Sequence, residues 1–225
     1  MLIGEEVWGM NRINKIYTED GWRPTRIFWS DMVNPDNYED IMVHMNADYD
    51  VYCTSIVSRH LSGEMQPGRY GGHNWSMPKP YMKIPDKVHN YEYCEEHGPK
   101  EVRKMTGGQP PSWRSCVEPG VYCRYGATMQ VTLMHAVEEE YNPIYLIGVD
   151  LGYVPSLMGA SVNNFCDDYQ VQDIPPYKAT GKNRDYAIAH GMARHYAEER
   201  GIKIYNATIG GQLEAYERVD FNSLF

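Results

Sequence analysis

Residues 143–153 read Pro-Ile-Tyr-Leu-Ile-Gly-Val-Asp-Leu-Gly-Tyr, an unbroken apolar run that ends abruptly in Gly-x-Asp. A run apolar on both faces suits a strand covered on each side, which is the setting of parallel strands in α/β proteins. In open sheets of that class, ligands lie outside the carboxyl ends of the strands. Asp150, followed by flexible Gly152 and aromatic Tyr153, therefore falls where chemistry is done. The alternative reading of the same residues is a buried strand whose Asp150 caps the next turn.

The rest of the chain supplies partners for such a strand. Residues 6–10, 25–31 and 51–57 read as strands from their β-branched and aromatic content, and residues 36–45 as a helix. Met129, Leu133, Ala136, Val137 and Tyr141 follow helical spacing, with Glu138, Glu139 and Glu140 on the solvated side. Residues 183–200 predict a second helix, with Ala187, Ile188, Gly191, Met192 and His195 on one face, stopped by Gly201 before a last strand at 202–208. Alternating strands and helices predict an α/β fold with a mostly parallel sheet and helices on both faces. Residues 59–121, rich in Pro, Gly, Trp and Tyr, lose this regularity, and only 88–94 alternates like a strand. They predict an irregular insertion or lid within a single domain spanning 1–225.

Composition removes several function classes. No apolar run is long enough to cross a bilayer, and the opening residues lack the basic and apolar segments of a secretory leader, so a cytoplasmic location is expected. A net charge of −9 disfavours nucleic acid as the main partner. The 5 cysteines are odd in number and form no Cys-x-x-Cys pair, which suits reduced thiols and not a disulfide frame or zinc site. Neighbouring side chains rarely both point inward, so Asp167 and Asp168 are not read as a metal site.

Several residues could carry chemistry. Gly126-Ala127-Thr128 opens a helix, where free amides and a hydroxyl suit a phosphate, although a simple N-cap has the same composition. Neither the Walker spacing nor the dinucleotide-binding glycine spacing is present. Asn11 and Asp31 each follow a strand-like segment. An Asn amide can read a base or sugar and an Asp can bind ribose hydroxyls or a cation, while ordinary turn residues would look alike. Asn164 belongs to an aromatic and polar loop, 163–169, that fits a flap over a substrate. His190, early in the later helix, is the best general-base candidate among the histidines, against a structural role.

Short segments then occur in one order: Trp8-Gly9-Met10-Asn11-Arg12-Ile13, Pro24-Thr25 leading to Ser30-Asp31, Tyr125-Gly126-Ala127-Thr128, and residues 144–153. Asn164-Phe165 with Asp168-Tyr169, and residues 204–208 before Gly210-Gly211-Gln212-Leu213-Glu214, complete the set. Together they resemble the motility-accessory-factor and archaeal hydroxymethylpterin pyrophosphokinase family, which is similar in fold to small bacterial sialyltransferases. Residues 59–121 have no match, and neither does the family's usual opening strand with its Gly-x-Gly-Pro-Ser-like loop. The resemblance implies a Rossmann-like domain that binds a nucleotide at the sheet's carboxyl edge. In sialyltransferase-like members the donor is a nucleotide sugar. Asn11 and Asp31 would contact the nucleotide, Gly126 to Thr128 would approach the donor, and Tyr153 and Tyr169 would help hold the phosphate.

The expected function is a nucleotide-dependent transferase, foremost a glycosyltransferase with a nucleotide-sugar donor and a glycan or small-molecule acceptor. The alternatives are a Mg²⁺-dependent pyrophosphokinase of the hydroxymethylpterin type, with Asp31 or Asp150 as ligands, and a degenerate nucleotide- or glycan-binding member.

Overall fold

A computed structural model of the chain describes residues 2–18, 21–31, 33, 35–65, 69–70, 73–74, 81–94, 121–123, 127–157, 163, 166, 169 and 173–225. Contacts gather the chain into two compact units, Met1–Tyr93 and Cys94–Phe225. The expected alternation of strands and helices is present, and the fold class is α/β on parallel sheets.

In the first unit, β1 (Trp8–Met10), β2 (Arg26–Trp29), β3 (Asp50–Thr54) and β4 (Val88–Cys94) lie side by side in that order, all parallel. Helices α1 (Tyr38–Asn46) and α2 (Ser55–Ser62) flank β3 in sequence. Trp29, Val51 and Cys53 from the sheet close a core with Ile41 and Met45 of α1 and Val57 and Leu61 of α2. Register explains the other face. Phe28, Tyr52 and His89 are direct partners on three neighbouring strands, and their rings stack at 4.7 and 4.6 Å.

The strand expected at 51–57 stops at Thr54, and Ser55 begins α2. Val57 and Leu61 stand one helical turn apart and both bury, which rewards helix over strand there. Gly63, at φ +80°, ends α2 as a left-handed cap.

In the second unit, α3 (Thr128–Glu138), β5 (Ile144–Leu146), α4 (Pro176–Glu198), β6 (Ile204–Asn206) and β7 (Glu217–Arg218) follow in sequence. The three strands form a parallel sheet in the order β7-β6-β5. Two expectations change here. β5 is not buried on both faces: Tyr145 is 41% exposed, and its ring stacks on that of its partner Tyr205 at 5.5 Å. A tyrosine can keep its ring packed and its hydroxyl wet, so apolar pattern alone overstates its burial.

Helix α4 also starts earlier than expected, because Pro176 sits in its first turn, where a missing N–H costs nothing. Its buried face is Ala189, His190, Met192, Ala193, Tyr196 and Ala197, whereas Ala187 and His195 are exposed. The face is rotated from the expected one, keeping Met192 and adding small alanines and Tyr196 in place of Ala187 and His195.

Candidate functional site

Asn11 follows β1 directly and adopts a left-handed φ of 45°. That conformation costs a residue bearing a Cβ about 1–2 kcal/mol, and Asn tolerates it better than most. Hydrogen bonds on both its backbone and its side chain hold it. Its N–H donates to the Phe28 carbonyl at 2.9 Å, and its side-chain oxygen accepts from the Ser30 N–H at 3.4 Å. Its carbonyl accepts from His44 Nε2 at 2.8 Å. Ser30 and exposed Asp31 follow β2, and the Asp31 carbonyl accepts from the Trp29 indole at 2.6 Å. Asn11 and Asp31 therefore stand at the carboxyl ends of two adjacent parallel strands.

Helix α1 supports this edge from below. Asp40 Oδ2 accepts from Arg12 Nε at 2.6 Å, and Asp40 Oδ1 accepts from Asn14 Nδ2 at 2.7 Å. One turn later, His44 is fully buried, with Nδ1 2.7 Å from the Tyr49 hydroxyl. The Asn11 carbonyl can only accept, which assigns the His44 proton to Nε2 and makes Nδ1 the acceptor from Tyr49. Burial pushes the imidazole down to about 4, so it is neutral near pH 7. Sequence reasoning missed Asp40 and His44. Their signal is the i, i+4 spacing of two polar residues on a helix that also buries Ile41 and Met45.

In the second unit, Asp150 is exposed beyond the end of β5. Its carbonyl accepts from the N–H groups of Gln212 and Leu213, while the Val149 N–H donates to the Thr208 hydroxyl at 3.0 Å. These bonds tie the loop after β5 to the loop after β6. The Asn183 carboxamide takes both backbone groups of Tyr153, at 2.9 and 2.8 Å, and Asn163 does the same for Val154, at 2.8 and 2.9 Å. Two side chains thus imitate a strand partner and fix the segment carrying Tyr153. Lys182 lies 4.6 Å over the Tyr153 ring.

The remaining candidates are dispersed. Ala127 is the N-cap of α3 without a side-chain cap bond, and Thr128, its first residue, is buried. The Tyr169 N–H donates to the Cys166 carbonyl at 3.4 Å. Gly126 and Asn164 lie outside the described residues. His190 needs correction as a general base. It is 2% exposed, with Nδ1 3.0 Å from the Tyr216 hydroxyl, and that hydroxyl donates to the His190 carbonyl. Burial pushes its imidazole down to about 4. A base must reach an acceptor hydroxyl, and this ring is inside the packing of its unit.

A cavity of about 570 Å³ opens at the amino ends of β1 and β2, lined by Leu2, Glu5, Glu6, Trp22 and Arg23 among others. It lies at the end of the strands away from Asn11, and two carboxylates oppose a phosphate there. Among the described residues, no group of three or more His, Cys, Asp or Glu side chains is placed to hold a metal ion, and no helix is long and apolar enough to cross a membrane. Compared with protein-family models, curated proteins and solved structures, the chain matches none.

Proposed function

We propose that this chain is a nucleotide-dependent transferase, of the sialyltransferase-like glycosyltransferase kind. The observation that carries the reading is Asn11, a left-handed residue held at the carboxyl junction of two parallel strands with Asp31 beside it on the second. Strained residues kept at a sheet's carboxyl edge are a mark of ligand sites. The Asn11 carboxamide has donor and acceptor groups for a base or sugar, and the Asp31 carboxylate accepts from ribose hydroxyls.

In this reading an acceptor hydroxyl attacks the anomeric carbon of the donor and the bond to the nucleotide phosphate oxygen breaks. A side-chain base takes the hydroxyl proton as the new bond forms. The growing charge on the departing phosphate is stabilised by fixed dipoles.

Thermal melting against CMP, CDP, UDP, GDP and ATP, each with and without Mg²⁺, tests this. Ligand at about a hundred times its dissociation constant stabilises by roughly 2.7 kcal/mol, a rise of about 5–10 °C for a chain of this size. A metal-independent response to a cytidine or uridine nucleotide, weakened but measurable in Asn11→Ala, is the expected result. A response confined to ATP with Mg²⁺ would replace it with pyrophosphoryl transfer. Silence across the panel would overturn nucleotide binding altogether.

A further inference from the structure

We propose that His44 is a positioning residue for Asn11: from the core of the first unit it holds the Asn11 carbonyl, and so sets the orientation in which Asn11 meets a nucleotide. The role rests on the nucleotide reading, but its geometry stands alone. A side chain from outside β1 and β2 bonds the Asn11 carbonyl, His44 through Nε2 at 2.8 Å. That proton is itself fixed. Tyr49 donates to Nδ1 at 2.7 Å, and the Tyr17 hydroxyl lies 3.3 Å from that of Tyr49. The order Tyr17 to Tyr49 to His44 to Asn11 leaves every donor facing an acceptor.

The ring cannot swing away. Trp29 packs on it at 5.8 Å, Tyr17 meets it edge-on at 6.3 Å, and none of its surface is exposed. Asp40, one turn earlier on α1, grips Arg12 at 2.6 Å, so adjacent polar residues of one helix hold consecutive residues of the turn after β1. A left-handed Asn would relax toward ordinary backbone if its peptide plane were free to rotate. The rigid helix prevents it, as second-layer supports do at preorganised sites.

The test uses the full chain. A residue with positive φ gives a strong intraresidue amide-to-Hα NOE, which reports Asn11 directly and needs no ligand. Wild type and His44→Gln, whose amide nitrogen reaches the Nε2 position, are expected to show it. His44→Leu is expected to lose it, and its affinity for whichever panel nucleotide stabilises wild type is expected to fall about tenfold, the effect of one lost hydrogen bond. The Gln variant should recover most of that loss. In an Asn11→Ala background the Leu substitution should cost no further affinity, because His44 acts through Asn11.

If His44→Leu does not fold, His44→Asn replaces it, since its shorter amide stays near Tyr49 but falls short of Asn11. A folded Leu or Asn variant that keeps the Asn11 NOE would overturn the proposal. So would a loss of affinity that persists in the Asn11→Ala background. If no nucleotide stabilises wild type, the nucleotide reading fails while the NOE still decides whether His44 sets Asn11.

Discussion

Gly148 and Gly211 both turn the chain with positive φ, 70° and 75°, at the carboxyl side of the second unit's sheet, yet their surroundings differ. A Cβ on Gly148 would meet nothing within 4 Å, whereas one on Gly211 would lie 2.5 Å from the Asp150 carbonyl oxygen. Gly148→Ala is therefore expected to cost only the left-handed strain, about 1 kcal/mol. Gly211→Ala is expected to cost about 2–4 kcal/mol, because backbone must also move. Urea midpoints of the two variants check this, and equal costs would show that the approach to Asp150 is not tight. Such close approaches are not legible in sequence, where all glycines look alike. Asn11 was legible because an apolar run ending in a polar residue marks a strand end, whereas the run before Asp150 misled, since β5 stops at Leu146. His190 was misread because its partner, Tyr216, is 26 residues away and leaves no local trace.

At the scale of elements, the loop after β6 is organised around one guanidinium. Arg218 Nη1 donates to the carbonyls of Thr208 and Gly210, at 3.3 and 2.7 Å, and Nη2 donates to Gly211 at 3.2 Å. The same loop sends the Gln212 and Leu213 N–H groups to Asp150. Arg218→Met is expected to cost about 2–3 kcal/mol, the range for lost bonds from a charged donor. Hydrogen exchange should quicken at Gln212 and Leu213 while α3 keeps its protection. Unchanged exchange at those two amides would mean the loop holds itself. Strong periodicity made α3 readable and β-branched content β6, whereas α2 was merged into β3 and the short β7 was not expected. The β-branched run continues past Thr54, and only the tertiary reward for burying Val57 and Leu61 marks the change.

Across the whole molecule, three histidines are buried among the described residues, His44 and His60 in the first unit and His190 in the second. Burial lowers all three imidazoles, and pushes those of His44 and His190 down to about 4 from an ordinary 6.5. Between those values the unfolded chain binds protons that the native units do not, so stability is full above pH 6.5 and falls as pH drops toward 4. Below that the loss levels off for these groups, at up to about 3 kcal/mol each. The asymmetry matters because ordinary carboxylates titrate lower, so both units are expected to weaken together in mild acid. Urea unfolding between pH 7.5 and 4.5 should show midpoints falling through this window. His44→Gln and His190→Gln should each flatten part of the slope, since glutamine cannot take up the proton. A stability that is level across the window in wild type would mean both rings accept a proton in place.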